Sequence, residues 1–138
     1  GPTAVEEVVR VASPVTYMRR TATRDRSLSG QDFVEGDKVV LMYASANRDP
    51  RIFDHPETFD VRRDPNPHLG FGGPGPHFCL GAHLARREVS VAFRQLLTRL
   101  PDIEVCGDPV PLQTMGMPLV GGIKSLPVRF TPTEPVGS

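Results

Sequence analysis

The sequence predicts a mixed α+β fold with one long helix, small antiparallel β-hairpins and a long ordered loop. The helix is predicted over about residues 80–100, because an apolar stripe recurs there at helical spacing and Pro101 ends it. Short β-branched runs between glycine turns indicate the hairpins. The loop is predicted over residues 49–76, since six prolines interrupt any helix or strand there. The helical stripe consists of Ala85, Val89, Ala92, Phe93, Leu96, Leu97 and Leu100.

The remaining elements are predicted to be short. A first helix is expected over residues 4–12, because valines recur there at helical spacing and Pro14 disfavours its continuation. Residues 42–47 are predicted to form one or two helical turns. The predicted strands and extended segments are residues 15–18, 27–28, 38–41, 110–112 and 128–130. A frayed tail is predicted over residues 132–138, which leaves residues 1–131 as one domain or part of one.

The composition excludes several classes of protein. Sixteen basic residues balance sixteen acidic ones, so the net charge gives no reason to expect a nucleic-acid or anionic-membrane partner. No apolar run approaches the roughly 20 residues of a membrane span. Two cysteines are too few for a disulfide framework, and a cytoplasmic location is expected. The 13 Gly and 15 Pro indicate ordered loops, because 38% hydrophobic residues suffice for a core.

Residues 71–86 contain the strongest candidate for chemistry. A loop rich in glycine and proline brings a single cysteine, Cys79, to the start of the long predicted helix. Glycines let a backbone approach a large flat ligand without Cβ clashes, and a helix N-terminus favours negative charge. His77 is placed to donate to a ligand's carboxylates. The alternative is a small buried cysteine that only caps the helix.

The Cys79 loop resembles the haem-binding signature of the cytochrome P-450 family, the haem-thiolate monooxygenases, in their bacterial soluble form. The matching residues are Gly75, His77, Cys79 and Gly81. Phe71 stands eight residues before Cys79, where the usual spacing is seven, so this loop looks one residue longer. A similar longer loop occurs in some bacterial hydroxylases of sterols and branched lipids. The resemblance extends over about residues 4–131 and implies the C-terminal portion of that fold.

Further residues match the family in the same order. Glu7 and Arg10 resemble its Glu-x-x-Arg helix, and Arg63 resembles the third member of that network, a structural role. The resemblance implies that Arg20, with His77, binds haem propionates. Residues 121–128 resemble a closing hairpin. The segments that line the substrate pocket in the family correspond here to Val15, Leu119 and Val120, for which plain core packing is the alternative.

The resemblance implies a function for the parent protein. Cys79 would be the axial thiolate ligand of haem b, and one oxygen atom of O2 would be inserted into a C–H bond of a small hydrophobic substrate, with sterols and lipids as candidates. Electrons would come from NAD(P)H through an acidic ferredoxin-type donor. Its predicted docking face is basic, with a solvated helix face as the alternative. That face consists of His83, Arg86, Arg87 and Arg62.

The length of 138 residues matches only the C-terminal third or so of such an enzyme. The N-terminal part, with the long helix that activates O2 in the family, is therefore expected to be a missing partner, and this chain alone is expected to be inactive. Two alternatives are a haem-free, self-associating fragment and a small zinc module built on His77, Cys79 and His83. His55 and His68 are expected to be loop or surface histidines, and Cys106 is assigned no role.

Overall fold

The computed structural model describes residues 1–112 and 119–132, which contain three helices and eight short strands. The helices are α1 (Pro2–Ala12), α2 (Tyr43–Ala46) and α3 (Ala82–Arg99). The strands are β1 (Tyr17–Thr21), β2 (Arg26–Leu28), β3 (Gln31–Phe33), β4 (Lys38–Met42), β5 (Glu104–Val105), β6 (Val110–Pro111), β7 (Ile123–Ser125) and β8 (Val128–Arg129). The predicted mixed fold is confirmed. Of the predicted tail, only Pro132 lies within the described residues.

Helix α1 begins two residues earlier than predicted, because proline is well tolerated in the first turn of a helix. It ends at Ser13, which adopts a left-handed conformation with φ 39° and donates its N–H to the Val9 carbonyl at 3.0 Å. The Ser13 hydroxyl also donates to the Arg10 carbonyl at 2.7 Å. These bonds satisfy carbonyls that the end of the helix leaves unpaired. One face of α1 is buried through Val5, Glu7, Val9 and Arg10.

The strands form four two-stranded antiparallel sheets, pairing β1 with β4, β2 with β3, β5 with β8 and β6 with β7. The β2–β3 turn has two residues with positive φ, Ser29 and Gly30, as the right-handed strand twist favours. The predicted closing hairpin over residues 121–128 is wrong in its pairing. Strands β7 and β8 flank Leu126–Pro127, but each pairs with an earlier strand of the chain instead.

The long predicted loop contains no helix or strand between α2 and α3 among the described residues. Its Phe53 is buried against Arg10 of α1, whose guanidinium carbon lies 5.2 Å from the centroid of the phenylalanine ring. Gly70 lies directly on α1, since a Cβ at this position would come within 2.5 Å of the Val9 side chain. The loop is therefore packed rather than disordered, and it is anchored to the first helix.

Helix α3 forms close to its predicted bounds but buries little of its apolar stripe. Only Ala82 is buried, while Phe93 and Leu97 of the predicted apolar stripe are 45% and 59% exposed. The periodicity predicted an apolar face correctly, but it carried no information about what covers that face. Self-association through such surfaces stays a prediction.

Candidate functional site

The loop before α3 holds Cys79 by backbone bonds. Its N–H donates to the Phe71 carbonyl at 2.9 Å, and its own carbonyl accepts the Ala82 N–H at 3.2 Å. Gly75 has a φ of 132°, which residues with a Cβ rarely adopt, and its carbonyl accepts the Phe78 N–H at 3.1 Å. The Cys79 thiol is left exposed. The loop thus fixes the backbone of Cys79 and leaves its sulfur open to a ligand.

A cavity of about 420 Å³ lies beside this loop. Arg20 of β1 and His77 of the loop both line it, so two residues that are far apart in sequence reach one space. The Tyr43 side chain, which the sequence analysis missed, also belongs to this wall and lies over Gly72. The other lining residues are Leu41, Met42, Ala46, Leu69, Gly73, Pro74, Gly75 and Pro76.

A fully buried ion pair lies beneath the loop. The Arg10 guanidinium donates to both carboxylate oxygens of Glu7, at 2.7 and 2.8 Å, and both side chains have no exposed surface. Arg63 also contacts Glu7, with Nε 3.2 Å from Oε2. Burial alone would raise the pKa of Glu7. Hydrogen bonds from Arg10, the Asp60 N–H and Arg63 outweigh burial and lower that pKa to about 2.

The guanidinium of Arg10 further connects this pair to the loop. It donates to the carbonyls of Asn47, Pro56 and Thr58 at 2.8, 2.7 and 3.0 Å. The fork of donors in arginine suits this role, because five N–H groups in one plane can satisfy several acceptors at once. The structure therefore brings Glu7, Arg10 and Arg63 together, as the resemblance implied. Their structural role in supporting a cofactor pocket stays a prediction.

Asn47 is a buried link that the sequence analysis missed. Its side-chain oxygen accepts the Leu69 N–H at 2.7 Å, and its amide donates to the Ser13 hydroxyl at 2.9 Å. The residue has no exposed surface. It thereby joins the end of α1 to the segment that leads into the Cys79 loop. Its position directly after the short α2 was the only sequence signal.

We expect Asn47→Leu to destabilise the protein by about 2–4 kcal/mol, because the Leu69 N–H loses its acceptor and the Ser13 hydroxyl loses the amide that donates to its oxygen. Asn47→Asp retains an acceptor for the Leu69 N–H but loses the donor to Ser13. Urea unfolding followed by circular dichroism measures both variants. Equal stability of Asn47→Leu and the unchanged protein would contradict the assigned linkage.

The predicted basic docking face stays a prediction, and two of its four residues take part in ion pairs. Arg86 makes two hydrogen bonds to Glu6, at 2.7 and 3.0 Å, and its guanidinium lies 4.5 Å from the centroid of the Phe71 ring. Arg62 pairs with Asp60 of its own loop at 3.2 Å. Both arginines therefore have an acidic partner, while the Arg62 side chain remains 87% exposed. His83 and Arg87 remain exposed on α3.

His68 lies in the long loop, as expected, although its side chain is not at the surface. Its side chain is only 3% exposed, and its Nε2 lies 2.9 Å from Glu6 Oε2. Its Nδ1 accepts the Gly70 N–H at 3.1 Å, which places the ring proton on Nε2, toward Glu6. The hydrogen bond from Arg86, against the effect of burial and with help from His68, lowers the pKa of Glu6. His55 is exposed, as expected.

The predicted substrate-pocket residues lie side by side. Val15 and Val120 form an antiparallel bridge, and the Thr16 N–H donates to the Leu119 carbonyl at 2.9 Å. Leu119 and Val120 are 45% and 51% exposed, so plain core packing does not account for them among the described residues. Their contact with a substrate stays a prediction.

The zinc alternative lacks a ligand set in the part of the chain that the structure describes. No group of three or more His, Cys, Asp or Glu side chains is arranged there to hold a metal ion, and His77, Cys79 and His83 are no exception. Structural zinc sites use four such ligands.

Among the described residues, no helix combines the length and the apolar character that crossing a membrane would require.

The comparisons with known proteins agree with this architecture. A family model for cytochrome P450 matches residues 2–125. A methyl-branched lipid omega-hydroxylase of Mycobacterium bovis is 56% identical over 131 residues, which are 95% of this chain and 30% of that protein. A steroid C26-monooxygenase of Rhodococcus jostii is 45% identical over 128 residues, which are 93% of this chain and 26% of that protein.

A solved structure agrees as well. A Mycobacterium marinum cytochrome P450 in complex with pseudoionone superposes with a TM-score of 0.86 at 53% identity, covering 93% of this chain and 30% of that one. The chain thus belongs to the cytochrome P450 family. It spans about a third or less of the length of the relatives compared.

Membership of this family implies a haem cofactor. The residues present fit one. A Cβ added at Gly73 or Gly75 would meet no atom within 4 Å, so this side of the loop is open to a flat ligand. Cys79 offers an exposed soft donor, and the basic side chains of Arg20 and His77 line one cavity where carboxylates would be received.

Proposed function

We propose that this chain is the haem-binding region of a haem-thiolate monooxygenase. The observation that carries the proposal is the exposed thiol of Cys79 on a fixed loop, beside a cavity that both Arg20 and His77 line. Cys79 would ligate iron, and Arg20 and His77 would bind the carboxylates of haem b. When bound, the haem supplies the redox chemistry that activates O2.

The residues of this chain have defined tasks in that function. The bond from the Cys79 N–H to the Phe71 carbonyl fixes the backbone of the proposed ligand, and the glycines among residues 72–75 allow close approach of the macrocycle. The buried pair of Glu7 and Arg10 supports the loop from below. The haem would carry out the oxidative step, and these residues of the protein would bind and orient the haem and tune its reactivity.

The substrate class is proposed from the relatives. Two relatives are named as hydroxylases of a branched lipid and of a steroid, which are large apolar molecules. The half-exposed apolar side chains of Leu119 and Val120, bridged to Val15, support a pocket wall for such a substrate. An acidic ferredoxin-type donor is proposed to dock at the exposed side chains of His83 and Arg87 on α3.

Titration of the purified protein with haemin tests the proposal. We expect a Soret band that saturates at one haemin per chain, and a reduced CO complex with the absorbance typical of thiolate ligation. Haemin uptake with an imidazole-type CO spectrum would overturn Cys79 as the ligand. Bound zinc without haemin uptake would overturn the proposal in favour of the zinc module.

A further inference from the structure

The cavity beside the Cys79 loop is lined by three hydrogen-bonding side chains, those of Arg20, Tyr43 and His77. Its other lining residues are apolar or glycine, and no acidic side chain of the described residues lines it. A mostly apolar wall with a few converging polar groups is typical of a small-molecule site. The cavity therefore suits an anionic ligand with an apolar body, and the proposed function uses only two of its three polar side chains.

Most donors of Arg20 are available to such an anion. Its Nη1 donates to the carbonyl of the neighbouring Arg19 at 3.0 Å. Within residues 1–112 and 119–132, Arg20 forms no ion pair. Because an arginine carries five N–H donors in one plane, a carboxylate can still accept two hydrogen bonds from this guanidinium.

The backbone of Tyr43 is fixed on both sides of the residue. Its carbonyl accepts the Asn47 N–H at 2.9 Å, which closes the short helix α2. The N–H of the next residue, Ala44, donates to the Thr16 carbonyl at 3.2 Å, just before β1. The half-buried side chain of Tyr43 therefore extends toward the cavity from a defined point of the fold.

The Tyr43 hydroxyl lies close to the part of the loop that contains His77. A Cβ placed on Gly72 would lie 4.0 Å from the Tyr43 hydroxyl oxygen and 3.6 Å from the His77 carbonyl oxygen, so both groups flank the same point of the loop. Among the described residues, this hydroxyl has no hydrogen-bond partner. Its proton is therefore available to a ligand in the cavity.

We infer that the Tyr43 hydroxyl donates a hydrogen bond to a carboxylate of the bound haem, beside the donors of Arg20 and His77. The inference rests on the proposed function, because that function supplies the haem and its carboxylates. A hydrogen bond to a charged acceptor is stronger than one between neutral groups, and it adds direction to the attraction by an arginine. Tyr43 is thus a binding residue that selects porphyrins with free carboxylates.

Protoporphyrin IX tests this role without iron, because it has the carboxylates of haem b but no metal for Cys79 to ligate. Its fluorescence during titration with the protein gives a dissociation constant. Tyr43→Phe removes only the hydroxyl and is expected to weaken binding about tenfold, as the loss of a hydrogen bond to a charged group implies. Tyr17→Phe changes the other tyrosine, which does not line the cavity, and is expected to bind like the unchanged protein.

The dimethyl ester of the same porphyrin separates a bond to the carboxylate from packing. An ester oxygen is uncharged and a weaker acceptor, so we expect the ester to bind Tyr43→Phe and the unchanged protein alike. If Tyr43 only packs against the loop, the variant weakens binding of the acid and of the ester equally.

Several results would overturn the inference. They are equal weakening for the acid and the ester, an effect of Tyr17→Phe as large as that of Tyr43→Phe, unchanged affinity of Tyr43→Phe for protoporphyrin IX, or no binding of protoporphyrin IX to the unchanged protein. A haemin complex without the thiolate spectrum, with the porphyrin results as expected, would refute the proposed function and leave the role of Tyr43 in place.

Discussion

Cys79→Ser is expected to abolish the thiolate signature of the haemin-loaded protein. A serine hydroxyl has nearly the size of the thiol, but it does not supply the polarisable anionic sulfur that a haem-thiolate centre requires. The surrounding loop is held by backbone bonds, so it persists in the variant. The reduced CO complex, recorded in parallel for both proteins, measures the loss.

Cys106→Ser is the matched control, because Cys106 is the second free and exposed cysteine of the described residues. It lies in the turn between β5 and β6, with its N–H bonded to the Pro127 carbonyl, and no part of the proposed site includes it. The control is expected to retain both haemin uptake and the thiolate spectrum. If Cys79→Ser kept the thiolate spectrum while Cys106→Ser lost it, the proposed ligand would be wrong.

The sequence predicted well those features whose signal is local. The spacing around Cys79 sufficed to predict a candidate haem site, because the glycine, histidine and cysteine residues of that pattern lie within a few residues of one another. The pairing of Glu7 with Arg10 follows from helical geometry, because residues three apart share a face. The long loop was predicted from its prolines, which exclude both kinds of regular element.

Features that depend on distant contacts were missed or wrong. Nothing near His68 or Arg86 in the sequence indicates that both meet Glu6, which lies 62 and 80 residues away. The contacts of Asn47 were equally hidden, since its side chain bonds to Ser13 after α1 and to Leu69 of the loop. Polar side chains recruited into a buried network leave no periodic pattern, so only the folded arrangement shows them.

Strand pairing and burial failed for a related reason. The residues of β7 and β8 favour extended structure, but these strands pair with β6 and β5, respectively. Strands β5 and β6 have only two residues each, which is too short for a recognisable sequence pattern. In the same way, the apolar stripe of α3 predicted that one face of the helix is apolar, but it did not predict whether other residues pack against that face. Local patterns therefore predict the type of an element better than its neighbours.

Glu7→Gln is expected to lower the free energy of unfolding by about 3–5 kcal/mol, because it leaves the buried charge of Arg10 without compensation. The carboxylate also accepts from the Asp60 N–H at 2.9 Å and from the Asn66 amide at 2.9 Å, and glutamine offers only one oxygen for all of these donors. Urea unfolding at neutral pH measures the loss. Glu104→Gln breaks an exposed pair with Arg129 and is expected to change stability little.

The same residue predicts how stability depends on pH. Folding lowers the pKa of Glu7 from 4.5 to about 2, so its contribution is present above pH 4.5 and is lost as the pH falls through 2. This shift corresponds to roughly 3 kcal/mol. Glu7→Gln has no such proton to take up, so its stability should approach that of the unchanged protein as the pH falls across this window. Glu6 titrates in both proteins and cancels in the comparison. A constant difference down to pH 2 would show that Glu7 is not the group whose ionisation stabilises the fold.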